Sequence, residues 1–245
     1  MLLAVDIGNS EIKFGLFDQD TLTSKFSIPT NRDTTADELK TAVGDRLRFA
    51  IDVAIVCSVV PEVEAAMRAL LHEVSNTEPI FVDNSFDFGL KINYEPLDSL
   101  GTDRLVAAFA AVEKYGAPCI VCSLGTATTI DVVSANREFL GGVIAPGMEA
   151  MAEALHLKAS RLPNVEIREP ESLIGSSTVE SIRSGVHYGY AAMVDGLIAK
   201  LKSGTAAARV VATGGNATEI TFRAITEVIV DSNLVLDGLR ILESR

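Results

Sequence analysis

Two short turns, each lying between two strand-like segments, constrain the fold of this 245-residue chain most strongly. The first, Asp6–Ser10 (DIGNS), follows the apolar run Leu2–Val5, and the residues after it alternate between apolar and polar, as in a half-buried strand. The second, Ser123–Ala127 (SLGTA), follows the apolar run Cys119–Ser123. Copies of this kind indicate internal duplication, so each turn is expected to open one half of the molecule.

The segments around the two turns predict an α/β protein made of two halves, residues 1–116 and 117–245. In the first half the predicted order is β-β-β-α-β-α-β, and the apolar, β-branched run Asp52–Val60 is typical of a buried parallel strand. Other predictions that the structure tests are a helix over Thr35–Phe49, a loop over Phe86–Leu100, Thr102 as the N-cap of the next helix, and a helix after Thr213–Gly215.

The composition excludes several classes of protein. The chain has 21 basic and 33 acidic residues, a net charge of −12, which argues against a nucleic-acid-binding scaffold. Hydrophobic residues make up 48% and charged residues 22%, as in a globular protein. No apolar run approaches the roughly 18 residues that cross a bilayer, and the first ten residues lack the basic region of a signal peptide. We therefore expect a cytoplasmic protein that does not bind membranes.

The three cysteines are expected to be structural. Cys119 and Cys122 form a C-x-x-C pair, but they lie on a strand-like run, where positions i and i+3 face opposite sides. Together with Cys57 they are predicted to be buried thiols of a reducing compartment. The three histidines are scattered and form no H-E-x-x-H motif, which disfavours a zinc hydrolase.

The turn after the first strand has two interpretations. In the functional one, Gly8 lets the backbone approach a ligand, successive N–H groups surround phosphate oxygens, and Lys13 reaches a phosphate. Asp6 would then hold Mg²⁺, a cation that prefers carboxylate and phosphate oxygens. In the other, Asn9 and Ser10 are simply the polar residues of a hairpin turn.

Three more loops of small residues follow strand-like segments, at Gly125–Thr129, Gly141–Gly142 and Thr213–Gly215. Ligands of α/β sheets bind where strand ends face a crevice, so four such loops favour a nucleotide or phosphate site over isolated turns. None of them matches a P-loop or a Rossmann dinucleotide motif.

The segment Gly101–Arg104 (GTDR) also has two interpretations. Asp103 near a helix N-terminus is favourable for the helix dipole alone. In the functional interpretation Asp103 accepts a proton from an attacking hydroxyl, and Arg104 pairs with a substrate carboxylate. The spacing does not decide between them.

Six motifs in order give the chain a specific resemblance: DIGNSEIK (6–13), NYEP (93–96), GTDR (101–104), GTATTID (125–131), GGVIAPG (141–147) and TGG (213–215). Together they resemble the type III pantothenate kinases, of the acetate and sugar kinase/Hsp70/actin superfamily. The resemblance implies a duplicated ribonuclease H-like (actin-like ATPase) fold with an ATP cleft between the halves. It also implies ATP- and Mg²⁺-dependent phosphorylation of pantothenate, the first step of coenzyme A biosynthesis, by a homodimer.

The same resemblance assigns roles to individual residues. Asp103 is the expected proton acceptor, and Asp6 is expected near Mg²⁺. ATP contacts are implied for Asp6, Gly8, Asn9, Ser10, Lys13, Gly125, Thr126, Thr213, Gly214 and Gly215. Pantothenate contacts are implied for Tyr94, Gly101, Thr102, Arg104 and Thr178.

Ser123 departs from the family pattern, in which an aspartate at this position binds an activating K⁺ or NH₄⁺ ion. Because a hydroxyl does not replace the charge of a carboxylate, our hypothesis is that K⁺ dependence is reduced or lost. Two other functions stay open at this point: a kinase for another small hydroxyl substrate, and a catalytically weak, kinase-like regulator.

Overall fold

In the computed structural model, residues 1–205, 208–217 and 228–245 are described. They belong to two compact units. The first comprises Met1–Leu90, Tyr94–Lys114 and Asn233–Arg245, and the second comprises Lys91–Asn93 and Tyr115–Ser232. Within the described ranges, every helix is too short or too polar to cross a lipid bilayer.

The described residues form eleven strands and six α-helices. The strands are β1 (Leu2–Ile7), β2 (Glu11–Asp18), β3 (Thr21–Pro29), β4 (Val53–Ser58), β5 (Ile80–Phe81), β6 (Lys91–Ile92), β7 (Cys119–Leu124), β8 (Ala127–Val133), β9 (Glu138–Pro146), β10 (Arg209–Thr213) and β11 (Val228–Val230). The helices are α1 (Ala36–Val43), α2 (Pro61–Ser75), α3 (Thr102–Tyr115), α4 (Met148–Lys158), α5 (Thr178–Gly204) and α6 (Leu234–Glu243).

The first unit is built on a five-stranded sheet in the order β3-β2-β1-β4-β5. β1 pairs antiparallel with β2 and parallel with β4, and it is buried along most of its length. Because side chains alternate along a strand, Leu3, Val5 and Ile7 point to one face, where they join the core formed with α1 and α2. α6 packs on the opposite face, beside Gly15 of β2.

The second unit repeats this topology. Its sheet has the order β11-β10-β7-β8-β9-β6, in which β7 pairs antiparallel with β8 and parallel with β10. The five strands β9-β8-β7-β10-β11 therefore correspond one to one with β3-β2-β1-β4-β5. Ile120, Cys122 and Ile130 point to the face that α4 and α5 cover. The predicted duplicated ribonuclease H-like α/β fold is confirmed at the level of strand order.

The compact units do not coincide with the division into residues 1–116 and 117–245. α6 comes last in the chain but belongs to the first unit, because its apolar residues Leu236 and Leu239 are buried as it packs on β1 and β4. The division into two duplicate halves at residue 116 stays a prediction about the sequence.

Of four local predictions, three differ from the structure and one falls mostly outside the described residues. The helix predicted over Thr35–Phe49 ends at Val43, because Gly44 has φ +55 and a 3₁₀ turn follows. The predicted loop over Phe86–Leu100 contains the short strand β6, which pairs with β9. Thr102 is the first residue of α3 and not its cap. The helix predicted after Thr213–Gly215 falls mostly outside the described residues.

The prediction that the cysteines are buried thiols is confirmed. Cys57, Cys119 and Cys122 are buried and form no disulfide. Burial raises the pKa of the Cys119 thiol to about 12 and also raises the pKa values of Cys57 and Cys122. All three are therefore protonated, unreactive thiols at neutral pH.

Candidate active site

The first turn joins β1 to β2 as a tight hairpin connection. Gly8 N donates to the carbonyl oxygen of Glu11 at 3.0 Å, which closes the turn around Asn9 and Ser10. Asn9 and Ser10 are exposed at its tip. The hairpin geometry that the sequence predicts is thus present, and it places donors of the turn at the carboxyl end of β1, where ligands of such sheets bind.

Asp6 lies opposite Lys13 in the register of β1 and β2. Burial raises the pKa of the Asp6 carboxyl to about 6, the Lys13 ammonium opposes this shift, and the charges of Asp103 and Glu11 add to it. Lys13 also pairs with Glu11, with Nζ 3.1 Å from Oε1. The charge of Lys13 therefore does not fully offset the cost of ionising the Asp6 carboxyl, and a bound cation would lower that cost.

The fold brings Asp103 into electrostatic range of Asp6. By alternation, Asp6 points away from the α1–α2 core to the face where α6 packs, and Asp103 is the second residue of α3. The charges of both carboxylates also raise the pKa of Cys57, the parallel-strand neighbour of Asp6. Two residues almost one hundred positions apart in the sequence thus share one environment in the first unit.

Asp103 is held in a defined orientation by its own backbone surroundings. Its Oδ1 accepts a hydrogen bond from Arg104 N at 2.8 Å. A Cβ at Gly101 would lie 2.5 Å from the same oxygen, so a side chain at this position would displace the Asp103 carboxylate. With Oδ1 engaged by the backbone, the rotation of the carboxylate is restricted and the direction of Oδ2 is set.

The start of α3 is anchored to two neighbouring loops through Asn84. The hydroxyl of Thr102 donates to Asn84 Oδ1 at 3.0 Å. Asn84 Nδ2 donates in turn to the carbonyl oxygens of Leu97 and Leu100, at 2.9 and 2.8 Å. Sequence analysis missed Asn84, and the turn-like context D-N-S was the only signal that pointed to it.

Arg104 is buried and lies beside Tyr94. Only 5% of Arg104 is exposed. Its Nη1 lies 3.4 Å from the Tyr94 hydroxyl oxygen, and its Cζ lies 5.3 Å from the centre of the Tyr94 ring. The structure therefore brings these two predicted substrate residues together, with a guanidinium held against an aromatic face.

In the second unit, the loops at Gly125 and Gly214 meet at the ends of two parallel strands. Gly125 N donates to the carbonyl oxygen of Ala127 at 3.1 Å, which closes a turn equivalent to the first one. Gly214 has φ +96, and its Cα packs so closely on the backbone of Leu124 that no side chain fits. Thr126 is exposed, whereas Thr213 is buried.

Ser123 has only hydroxyl-bearing neighbours in the register of the sheet. It lies between Thr129 of β8 and Thr213 of β10. Thr129 Oγ1 is buried without a hydrogen-bond partner. Among the described residues there is no group of three or more His, Cys, Asp or Glu residues that fits a metal ion. A single carboxylate such as Asp6, with phosphate oxygens, suits Mg²⁺, whereas the two direct register neighbours of Ser123 carry no carboxylate.

Thr178 lies at the start of α5 in the second unit. It is the first residue of α5, after the N-cap Ser177, whose hydroxyl accepts from Glu180 N at 3.2 Å. The exposed Thr178 lines an apolar groove of about 740 Å³ that runs along α4 and α5.

A comparison with protein families gives a match over most of the chain. The model of the family described as type III pantothenate kinase matches residues 2–200. The chain belongs to the type III pantothenate kinase family.

Individual relatives in the type III pantothenate kinase family match over their whole length. The chain is 38% identical to a type III pantothenate kinase of Exiguobacterium sibiricum over 251 residues, covering 100% of this chain and 99% of the relative. It is 39% identical to one of Geotalea uraniireducens over 252 residues, covering 100% and 98%.

Solved structures share the fold at low sequence identity. A Baf family protein from Campylobacter jejuni superposes with a TM-score of 0.59 at 21% identity, covering 99% of this chain and 97% of that chain. A ROK family glucokinase from Streptomyces griseus, in complex with glucose and AMPPNP, superposes with a TM-score of 0.56 at 13% identity. The match covers 99% of this chain and 98% of that chain. At these identities the likeness confirms the actin-like and sugar kinase fold of this pantothenate kinase family member.

Proposed function

We propose that this chain transfers the γ-phosphoryl group of ATP to the primary hydroxyl of pantothenate, forming 4'-phosphopantothenate in the first step of coenzyme A biosynthesis. The observation that supports this most strongly is the pair Asp6 and Asp103, two carboxylates of the first unit that influence each other electrostatically. Family membership over the full chain selects pantothenate as the acceptor.

Asp103 accepts the proton of the attacking hydroxyl. Its Oδ1 accepts a hydrogen bond from Arg104 N, which restricts the rotation of the carboxylate at the start of α3. Much of the rate gain in phosphoryl transfer comes from positioning and from neutralising charge, and a carboxylate of restricted orientation serves both as base and as a guide for the hydroxyl.

Asp6 and Lys13 bind the metal and phosphate groups. Mg²⁺, when bound, neutralises charge on the transferred phosphoryl group. Asp6 is suited to hold it because burial raises the pKa of its carboxyl to about 6, and a bound cation would favour the ionised form. Asn9 and Ser10 bind phosphate oxygens from the tip of the turn, and Gly8, whose N–H closes the turn, lets the backbone approach the ligand.

Arg104 binds the carboxylate of pantothenate, and Tyr94 holds the guanidinium in place. Gly101 and Thr102 complete this part of the site through the start of α3. In the second unit, we infer nucleotide contacts for Gly125, Thr126, Thr213, Gly214 and Gly215, and a pantothenate contact for Thr178. These assignments are supported by the resemblance of the motifs and by the turn geometry at each strand end.

The protein acts as a cytoplasmic homodimer in this proposal. Three buried, reduced cysteines suit a reducing compartment. The apolar groove along α4 and α5 has exposed Leu155 at its wall, with Leu157 nearby on the same helix, and a second copy of the chain would remove this surface from water.

The test is pantothenate-dependent ADP release by the full chain with Mg²⁺, measured with and without K⁺. Release that requires pantothenate supports the proposal. Release with another small hydroxyl compound in its place would instead indicate a kinase of different specificity. Nucleotide binding without release for any acceptor would indicate a non-catalytic regulator.

A further inference from the structure

The segment that follows β3 holds the first turn through three hydrogen bonds. Thr30 Oγ1 donates to the carbonyl oxygen of Gly8 at 2.6 Å, and Thr30 N donates to that of Ser10 at 3.0 Å. Arg32 Nη2 donates to Asn9 Oδ1 at 3.0 Å. Gly8, Asn9 and Ser10 therefore each accept one hydrogen bond from this segment.

The bond from Arg32 determines which way the Asn9 amide faces. A guanidinium has only donors, so Asn9 must present its carbonyl oxygen Oδ1 to it. The amide is planar, and its Nδ2 consequently points to the other side, away from Arg32. Nδ2 is a donor of the kind that a phosphate oxygen accepts. With Oδ1 engaged from one side, the Asn9 side chain presents a donor on the other, which suits an anion.

Arg32 is itself anchored by a second element. Its Nη1 lies 3.2 Å from Oε1 of Glu62, in the first turn of α2. The guanidinium thus bridges α2 and the Asn9 side chain with two of its fixed donors. Because Glu62 offsets its charge, the main effect of Arg32 on the turn is orientation and not a positive field. A lysine at this position has no planar fork with which to bridge both partners.

We propose that Arg32 is a positioning residue for the nucleotide, which holds the Asn9 amide so that Nδ2 donates to a phosphate oxygen of ATP. This inference rests on the proposed function, because it takes the first turn to be the phosphate-binding turn. It adds a role for Arg32, Glu62 and Thr30 that no motif indicated.

A double-mutant cycle tests whether Arg32 acts through Asn9. Arg32→Ala is expected to raise the KM for ATP about tenfold, the effect of one hydrogen bond to a charged group, with the KM for pantothenate unchanged. Asn9→Ala should have a similar effect, and the double variant should be no worse than Asn9→Ala alone. Arg32→Lys should recover part of the loss, since an ammonium still donates to Oδ1. Calorimetric titration of AMPPNP with Mg²⁺ should show the same order of affinities.

Arg48→Ala is the matched control for charge, because Arg48 is exposed in the same unit and pairs with Asp45. It should leave both KM values unchanged. The inference is overturned if Arg32→Ala leaves nucleotide affinity unchanged, if it lowers only kcat, or if the effects of the two single substitutions multiply in the double variant.

The same measurements separate this inference from the proposed function. If the wild-type chain binds AMPPNP in a way that depends on Arg32 but does not phosphorylate pantothenate, the inference stands and the proposed function fails. If pantothenate is phosphorylated and Arg32→Ala binds AMPPNP like the wild type, only the inference fails. A wild-type chain without nucleotide binding contradicts both.

Discussion

The two carboxylates of the first unit have different properties because their immediate surroundings differ. Asp6 is buried between strands, and its pKa is raised to about 6 despite the opposing charge of Lys13. Asp103 lies at the start of a helix with one oxygen bonded to the backbone. Asp6 suits a metal ion because its neighbours only partly neutralise its negative charge. Asp103 suits the role of proton acceptor because its carboxylate has a restricted orientation.

Asp103→Asn tests the base directly. The amide keeps the size of the side chain but does not accept a proton, so kcat should fall by about a hundredfold or more. Pantothenate-dependent ADP release measures this, and the affinity for AMPPNP should be unchanged. Turnover close to that of the wild type would contradict the assignment of Asp103.

Asp6→Asn should separate stability from activity. Asp6 binds a proton more tightly in the folded chain than in the unfolded one, so its ionisation destabilises the fold as the pH rises from about 4 to above 6. In EDTA at pH 8, the variant should therefore gain on the order of 2 kcal/mol in free energy of unfolding, and the gain should vanish near pH 4.

Urea denaturation at the two pH values measures this gain, and Mg²⁺-dependent turnover should be lost in the same variant. Asp18→Asn, at an exposed position of the neighbouring strand, is the control for removing a negative charge. A lower stability of Asp6→Asn at pH 8 would show that the carboxylate is stabilised by its surroundings.

Ser123 predicts weak activation by K⁺. Its two direct neighbours in register are threonines, so neither of them supplies a charge to select a monovalent cation. Replacing Na⁺ by K⁺ at constant ionic strength should change the wild-type rate little, whereas Ser123→Asp should gain activation by K⁺. Strong activation of the wild type by K⁺ would overturn the hypothesis.

At the scale of elements, the strand order β3-β2-β1-β4-β5 of the first sheet is repeated as β9-β8-β7-β10-β11 in the second. Helices pack on both sheets through buried apolar faces. On the first sheet, α6 also packs against α3. A Cβ at Gly238 of α6 would lie 2.8 Å from the Cβ of Ala110 and 3.0 Å from Cγ1 of Val106. Close approach of the two helices therefore depends on this glycine.

Gly238→Ala tests this packing. Although alanine favours a helix by about 1 kcal/mol over glycine, the added methyl group has no space, and a net loss of about 1–3 kcal/mol is expected. Gly196→Ala in α5 is the matched control, because a Cβ there meets no atom within 4 Å. It should stabilise the protein by about 0.5–1 kcal/mol. Thermal or urea denaturation distinguishes the two, and equal gains would contradict the packing argument.

At the scale of the whole molecule, an apolar groove and exposed leucines on α4 are the features on which the proposed homodimer rests. Leu157 is 70% exposed and Leu155 39%, although both are large and apolar. Contiguous apolar surface of this kind marks an interaction site. In the proposed homodimer it is the surface on which two copies meet.

Leu155→Glu should dissociate the dimer, because it places a charge on the groove wall. Sedimentation velocity should then give a monomer of about half the wild-type mass, with unchanged circular dichroism. Phe49→Glu, at an exposed apolar position of the first unit, should leave the dimer intact. A monomeric wild-type chain would show that the groove serves something other than a second copy.

The sequence by itself determined the α/β class, most of the strands and helices, and the family. Alternation at Ile12, Phe14 and Leu16 is local, so a strand was predictable without tertiary information. The motifs that mark the family are local as well. The exact ends of elements were less predictable, because the end of α1 depends on the φ angle that Gly44 adopts.

Only the tertiary structure decided which distant residues act together. Nothing in the sequence places Asp6 near Asp103, or α6 on the first sheet, because strand pairing and helix packing join segments far apart in the chain. The same holds for Arg32 and Asn9, whose bond exists because β3 pairs with β2 and brings the segment after it back to the first turn. Local patterns determine elements, whereas charge, burial and hydrogen bonding at a site depend on how those elements are packed.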